Sequence, residues 1–221
     1  MAERQAAEWA EILEPPFSAD GYNGLSWTAR PFSYHGGSSP VLLSSPHATN
    51  HRRDGRVKYA DLFTGSIGRI LNLASDCPLI YANRLADEDP NHTEGGEYKS
   101  YIRSLAEERE IRCVLDLHGA SLEREFDIDL GVTDGRSLKM EQVKRIQAIF
   151  RRHGIRDVRM NDTFMASGAR TVTGFCHLEL GLPAVQIEIH KRYREPREAP
   201  DKFGKLLHSL QEVIRFIGDE K

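Results

Sequence analysis

The stretch "IRCVLDLHG", residues 111–119, decides the fold, because it is apolar along most of its length and carries two polar side chains near its end. A strand that is covered on both faces of a sheet is a nearly continuous apolar run, and parallel sheets are buried in this way. The stretch therefore predicts a central strand with helices on both sides. Its polar residues, Asp116 and His118, lie toward the carboxyl end of that strand.

Strand-like and helix-like segments alternate along the rest of the chain. Further strands are predicted at 40–45, 77–83, 126–135, 158–160 and 182–192. Helices are predicted at 2–14, 57–74, 96–109, 138–154 and 201–218, whereas residues 17–40 have the composition of a loop with one short strand. Such alternation is typical of an α/β protein. We therefore expect a three-layer αβα arrangement around a mostly parallel or mixed central sheet.

The composition is that of an ordinary globular protein and excludes several functional classes. The 221 residues suit one domain over 1–221, with residues 1–40 as an N-terminal helix-and-loop extension. A net charge of −3 gives no general attraction to nucleic acid or anionic membranes. The three cysteines are scattered and form no CxxC pair, which argues against a disulfide framework or a thiolate zinc site. With no signal-like or membrane-spanning apolar run, we expect a cytoplasmic protein.

Polar side chains mark three of the predicted strands near their carboxyl ends, where open α/β sheets bind ligands. His47 follows the strand at 40–45, His118 ends the central strand, and Glu188 lies within the last strand. Residues two apart on a strand point to the same face, so Asp116 can lie beside His118. A carboxylate in that place fixes the imidazole tautomer and leaves the other ring nitrogen free for a metal.

These residue types have the chemistry of a metallohydrolase site. Two neutral imidazoles and one carboxylate make a three-ligand zinc site with an open fourth position. A glutamate is costly in an apolar strand unless it is paired or used, and Glu188 near such a metal would serve as a general base. Each residue also has an ordinary alternative. His47 could be a hydrogen-bonded loop residue, and Glu188 could be the buried partner of an arginine.

Five short motifs follow one another in a fixed order. They are "PHAT" (46–49), "YANR" (81–84), "DLHG" (116–119), "LGVTDG" (130–135) and "QIEI" (186–189). By this ordered set the chain resembles the N-formylglutamate amidohydrolases, whose fold is similar to that of zinc carboxypeptidases and aspartoacylases. The resemblance covers most of the chain and implies a phosphorylase/hydrolase-like, zinc-peptidase-like α/β fold.

The resemblance implies one divalent metal ion, most often zinc, held by His47 and His118. It places a carboxylate ligand between them in the sequence, and Asp61 in "KYADLFTG" is the nearest match. Asp54 and His51 remain alternative ligands. Manganese and other first-row ions also accept such nitrogen and oxygen ligands.

The resemblance also implies roles for the remaining motif residues. Glu188 takes the place of the general base, and Asp116 lies behind the histidine of "DLHG". Arg84, together with Asn83, is expected to bind a substrate carboxylate, for which a guanidinium is suited as a bidentate donor. Arg170 in "SGARTVTG" is the second candidate for that task.

The chain departs from the family pattern at several places around the expected pocket. Thr49 replaces the glycine of "PHAG", Gly119 replaces the serine of "DAHS", and the proline that follows "NR" is missing. The segment "SGARTVTG" also differs from its family counterpart. These differences leave the exact substrate open.

The function that follows is that of a metal-dependent amidohydrolase, which cleaves the C–N bond of a small N-acyl amino acid such as N-formylglutamate. Its partner would be a small-molecule substrate bearing a carboxylate, and neither nucleic acid nor a membrane. Two alternatives stay open. One is a metallopeptidase or amidase acting on a peptide or a cell-wall fragment, and the other is a non-catalytic binding protein on the same scaffold.

Overall fold

A computed structural model describes residues 3–220, which form nine strands and seven α-helices. The strands are β1 (Phe32–His35), β2 (Val41–Ser45), β3 (His51–Arg53), β4 (Arg56–Lys58), β5 (Leu79–Ala82), β6 (Cys113–Ala120), β7 (Ile128–Gly131), β8 (Val158–Met160) and β9 (Ala184–His190). The helices are α1 (Glu3–Leu13), α2 (Pro15–Tyr22), α3 (Thr64–Ser75), α4 (Glu97–Glu108), α5 (Met140–Arg152), α6 (Val172–Leu180) and α7 (Pro200–Asp219).

Seven of the described strands form one sheet in the order β1–β5–β2–β6–β9–β7–β8. Strands β5, β2, β6 and β9 run parallel, whereas β1 and β7 are antiparallel to β5 and β9. The mixed central sheet expected from the sequence is confirmed, with the stretch at 111–119 forming the central strand β6. Strands β3 and β4 make a separate antiparallel hairpin.

Helices cover both faces of the sheet and confirm the three-layer arrangement. On one face α1, α3, α5 and α7 pack over a core that includes Leu115 and Ile187. On the other face, Ile102 of α4 and Phe175 of α6 belong to a second core with Val114. Strand β6 therefore sends apolar side chains to both faces, which explains why its sequence begins as a continuous apolar run. Each side chain of this kind contributes about 1.5–3 kcal/mol on burial.

The register between neighbouring strands sets the geometry of their carboxyl ends. In the parallel pair β6–β9, His118 lies opposite Glu188 and Asp116 lies opposite Gln186. On the other side of β6, Ser44 of β2 lies opposite Asp116. The carboxyl ends of β2, β6 and β9 therefore meet side by side at one edge of the sheet.

The helix predicted at 57–74 is wrong over its first residues. Residues 56–58 are strand β4, and helix α3 begins only at Thr64. Asp54 and Gly55 connect β3 to β4 with positive φ angles of 52° and 75°. Two such residues make the type I′ turn of a hairpin, for which Asp-Gly is a favoured pair. Hairpin pairing therefore overrides the helical spacing of the apolar residues here.

Two described helices lie where none was predicted. Helix α2 falls within the segment expected to be a loop, and α6 follows the "SGAR" segment. Helix α6 begins after Thr171, whose Oγ1 accepts the N–H of Gly174 at 3.0 Å, and it ends at Gly181 in the left-handed conformation. Its β-branched and glycine residues have low helix propensity, so packing on the sheet stabilises it.

The other predicted elements are present with shifted ends. Helix α1 matches the N-terminal helix predicted at 2–14 over the residues that the structure describes, and β1 is the short strand expected within 17–40. Strand β7 is shorter than the predicted strand at 126–135, because a 3-10 turn follows at Thr133–Gly135. Across residues 3–220, no helix combines the length and the apolar composition needed to cross a membrane.

Candidate metal and catalytic site

The carboxyl ends of β2 and β6 bring His47 and His118 together with Asp61. His47 lies in the turn after β2, and its carbonyl oxygen accepts the backbone N–H of Asp61 at 2.8 Å. Oδ2 of Asp61 lies 3.4 Å from Nδ1 of His47 and 3.3 Å from Nδ1 of His118. The structure thus brings the three predicted metal ligands together, with all three ligand atoms within 4.8 Å of one another.

The separations within this set fit a zinc-type ion. Two ligand atoms bound at about 2.0–2.1 Å with a tetrahedral angle between them lie about 3.4 Å apart. Two imidazole nitrogens and one carboxylate oxygen suit zinc and several other first-row ions. Burial raises the pKa of Asp61, but hydrogen bonds from His118 and His47 outweigh burial and hold it well below its usual range. The carboxylate is therefore ionised and ready to bind a cation.

Asp89 orients the imidazole of His47. Its Oδ1 accepts a hydrogen bond from Nε2 of His47 at 2.8 Å, and its carboxylate is fully buried. Because a carboxylate only accepts, Nε2 keeps its proton, and a metal that replaces the Nδ1 proton finds the ring held in place with the Nδ1 lone pair turned toward it. Burial would raise the pKa of Asp89, but the hydrogen bonds from His47 and Arg53 hold it well below its usual range.

Asp116 lies behind His118 in the same way. Nε2 of His118 is 3.1 Å from Oδ2 of Asp116, and Oδ1 of that carboxylate accepts the hydroxyl of Ser44 at 2.8 Å. The Ser44 hydroxyl in turn lies 3.0 Å from that of Tyr98 on α4. Both imidazoles thus turn Nδ1 toward Asp61 and Nε2 toward a buried carboxylate.

His51 lies beside this set. Its ring stacks on that of His47 with 3.9 Å between centroids, and its Nε2 lies 3.4 Å from Oδ2 of Asp89. These three residues form a second group of possible metal ligands. However, Nε of Arg53 donates to the same Asp89 oxygen at 2.6 Å, so a second cation there would be repelled by the guanidinium charge. Burial lowers the pKa of His51 to about 4, which keeps its ring neutral.

The Asp89→Asn variant is expected to bind zinc about 10- to 100-fold more weakly, the usual effect of losing the outer partner of a ligating histidine. An amide can donate to Nε2 of His47 and so favours the wrong tautomer. Competition against a chromogenic chelator measures the affinity, with Asp87→Asn, fully exposed in the same loop, as the control. Equal affinities for the two variants would contradict the orienting role.

Glu188 borders the same cavity from β9 and is 4% exposed. Gln186 Nε2 donates to Oε1 of Glu188 at 2.7 Å, and Asn91 Nδ2 donates to Oε1 of Gln186 at 3.4 Å. The backbone N–H of Val172, at the start of α6, fixes the Asn91 amide by donating to its Oδ1 at 2.8 Å. Burial raises the pKa of Glu188 to about 7, against the lowering effect of the His118 charge. A pKa in this range suits a general base.

His47, Asp61 and His118, called the ligand set below, line a cavity of about 460 Å³ together with Glu188. Arg53 and Lys58 of the β3–β4 hairpin line it, together with Tyr59 and Met165. The last two are exposed and form an apolar part of the rim. A larger cavity of about 620 Å³ lies between α3 and α7, and its described lining contains none of the predicted site residues.

Three predicted substrate-binding residues lie outside the lining of the 460 Å³ cavity. Asn83 donates from Nδ2 to the hydroxyl of Ser33 at 2.8 Å, and Arg84 donates from Nε to the carbonyl of Thr28 at 3.2 Å. Asn83 is therefore engaged by β1, and Arg84 is engaged by the loop that precedes β1. Arg170 is exposed on the loop before α6. The structure does not bring these residues to the ligand set.

Some site residues carry little or no signal in the sequence. Gln186 was not predicted, although its spacing of two from Glu188 on a strand places both on one face and could have identified it. Asp89 lies in an irregular loop with no periodic pattern to mark it. Asp54, an alternative ligand, lies at the exposed tip of the hairpin, 3.4 Å from Nε2 of His92.

Comparisons with known proteins bear on the fold. No protein-family model matches the sequence, and no curated protein matches it. N-formylglutamate amidohydrolase from Ralstonia eutropha JMP134 is 18% identical with a TM-score of 0.59, covering 85% of this chain and 97% of that one. A bacteriophage poly-gamma-glutamate hydrolase is 12% identical with a TM-score of 0.52, covering 86% and 89%. Succinylglutamate desuccinylase from Chromobacterium violaceum is 18% identical with a TM-score of 0.51, covering 85% and 68%.

These likenesses concern the fold. The chain shares its α/β fold with the N-formylglutamate amidohydrolase from Ralstonia eutropha JMP134, and the fold expected from the sequence is confirmed. At identities of 18% or less, the neighbours leave the substrate to be argued from the site itself.

Proposed function

We propose that the chain is a metal-dependent amidohydrolase that cleaves the C–N bond of a small N-acyl amino acid such as N-formylglutamate. The observation that carries this proposal is the convergence of His47, Asp61 and His118 at ligand distances beside Glu188 in one cavity. The fold shared with the N-formylglutamate amidohydrolase from Ralstonia eutropha supports it. The ion is one divalent metal, with zinc as the first choice.

Each residue of the site has a chemical task. His47, Asp61 and His118 hold the ion, which when bound supplies Lewis acidity that polarises the acyl carbonyl and activates water at neutral pH. Glu188 accepts a proton from the attacking water and delivers it to the leaving nitrogen. Gln186 donates to Oε1 of Glu188, so the proton transfer falls to Oε2.

We assign the substrate carboxylate to Arg53 and Lys58, which line the cavity and supply positive charge. The hydrogen bond from Nε of Arg53 to Asp89 fixes the plane of the guanidinium. A fixed guanidinium presents its other N–H groups as a fork that matches a carboxylate. This assignment replaces Arg84 and Arg170, whose side chains lie outside the cavity lining.

The Arg53→Lys variant is expected to raise KM about 10-fold with little change in kcat, which is the pattern of lost uniform binding. Lysine keeps the charge beside Asp89 but lacks the planar fork. Steady-state kinetics with an N-acyl amino acid measure both constants, and Arg56→Lys on the same hairpin is the control, because Arg56 is exposed. A fall in kcat at constant KM would contradict the assignment.

A longer acidic substrate is the second candidate. The cavity holds about 460 Å³, and its rim carries the exposed side chains of Tyr59 and Met165, which a chain-like substrate could contact. The bacteriophage poly-gamma-glutamate hydrolase shares the fold. The ligand set and Glu188 would act in the same way on such a substrate.

A substrate panel separates these functions. Protein loaded with Zn²⁺ or Mn²⁺ is assayed for amine release from N-formyl-, N-acetyl- and N-succinylglutamate and from a γ-glutamyl oligomer. The highest kcat/KM for an N-acyl amino acid would support the proposal, whereas the highest value for the oligomer would favour the second candidate. A chain that takes up no metal on titration and hydrolyses none of these compounds would be a binding protein.

A further inference from the structure

Arg194 is a buried arginine behind the candidate site, four residues beyond the end of β9. The residue is 4% exposed, and its guanidinium donates to three backbone carbonyl groups. Nε donates to Ile189 at 2.9 Å, Nη2 donates to Ala120 at 3.1 Å, and Nη1 donates to Leu62. One side chain therefore connects three segments that are far apart in the sequence.

These three segments are the ones that carry Asp61, His118 and Glu188. Each carbonyl that Arg194 contacts lies one or two residues after the site residue of its segment. Two predicted metal ligands and the predicted base are thus tied to one rigid, planar group. Ligand atoms must be held to within a few tenths of an ångström for tight metal binding, so such a connection has a direct consequence for the site.

Gly119 is matched to this arginine. A Cβ atom at position 119 would lie 2.5 Å from Cζ and 2.6 Å from Nη2 of Arg194, closer than real Cβ atoms approach other heavy atoms. Residue 119 must therefore be glycine while the guanidinium occupies that place. This accounts for the glycine in "DLHG". The corresponding motif of the N-formylglutamate amidohydrolases, which the chain resembles, has serine there.

Packing alone does not explain an arginine here. A buried charge is costly to desolvate, and an apolar side chain of similar volume often fills such a space with equal or better stability. Burial lowers the pKa of Arg194, while the negative charges of Asp61 and Glu188 counter that shift. The guanidinium therefore lies where it both ties the segments and balances carboxylate charge behind the site.

We propose that Arg194 is a positioning residue that holds the segments of Asp61, His118 and Glu188 in metal-binding and catalytic register, and that Gly119 is its required partner. This inference rests on the proposed function of the site. Arg194 would touch neither substrate nor metal, and its effect would reach the reaction through the backbone segments that it connects.

The first test is Arg194→Met, with zinc affinity measured by chelator competition on folded protein. We expect the affinity to fall about 10-fold or more, the range seen when groups that orient ligands are lost. On an N-acyl amino acid, kcat should fall while KM changes little, because the substrate contacts are elsewhere. Arg192→Met is the matched control, since Arg192 also follows β9 but donates to Asp127.

The second test is a double-mutant cycle with Gly119→Ala. Alanine at 119 displaces the guanidinium, so this variant should lose zinc affinity to a similar degree, whereas adding it to Arg194→Met should cause little further loss. Independent effects that multiply in the double variant would overturn the pairing. Should Arg194→Met not fold, Arg194→Lys takes its place in the cycle with Gly119→Ala, because lysine keeps most of the buried volume and alanine adds only one methyl group.

The outcomes separate the two proposals. The positioning role would be overturned if zinc affinity and kcat stayed within twofold of wild type. This applies both to the Arg194 variant that folds and to Gly119→Ala. A loss of thermal stability with unchanged zinc affinity would also overturn it, because that is the result of a purely structural role. A wild-type chain that binds no zinc would instead refute the proposed function itself.

Discussion

The Glu188→Gln variant is expected to turn over an N-acyl amino acid about 1,000-fold more slowly than the wild-type chain, within the range that a general base contributes. Glutamine has the shape of glutamate but cannot take a proton from the attacking water. Zinc affinity should stay close to that of wild type, because the ligand set is His47, Asp61 and His118. Single-substrate kinetics together with zinc titration of the same preparations measure the two effects separately.

Glu179→Gln on α6 is the matched control, because Glu179 is exposed and lies outside the cavity lining. Turnover of the Glu188 variant within tenfold of wild type would mean that another group accepts the proton. Loss of zinc together with activity would make Glu188 a metal ligand and would require a different base.

The strands that hold the site were predictable because full burial leaves a direct trace in sequence. Strands β6 and β9 are buried along almost their whole length, β6 begins as an apolar run, and the interior of β9 carries Val185, Ile187 and Ile189. Polar residues such as His118 and Glu188 stand out within such runs. Their places at adjacent strand ends follow from the general rule for open α/β sheets. Local sequence was therefore enough to predict the architecture and to identify His118 and Glu188 as candidate site residues.

Asp116 was predicted from its spacing to His118, whereas Asp89 and Arg194 could not be predicted in this way. Asp89 reaches His47 across 42 residues, and Arg194 reaches Leu62 across 132 residues. These contacts depend on how irregular loops fold over the sheet edge, and no period of two or 3.6 residues accompanies them. Only the assembled tertiary structure brings such groups together.

The assignment of Arg84 shows a different limit. The motif that contains it lies at the end of β5 as expected, but the segment before β1 packs across it, and Leu25 donates its N–H to the carbonyl of Asn83 at 2.9 Å. The guanidinium of Arg84 donates to the carbonyl of Thr28 in that same segment. The short motif therefore predicted where the strand ends. The direction of the Arg84 side chain, however, depends on contacts with residues far away in the sequence.

The Asp61→Asn variant is expected to bind zinc more than about 100-fold more weakly, beyond the range seen for outer partners of ligands, because a direct anionic ligand is lost. The neutral amide is a poor ligand, and His47 and His118 alone do not complete a site. Zinc titration measures the affinity, and circular dichroism checks that the fold persists. Asp54→Asn is the control, because Asp54 lies at the exposed hairpin tip and is one of the two alternative ligands expected from the sequence. Weakened binding in Asp54→Asn, with Asp61→Asn unchanged, would transfer the ligand role to the hairpin.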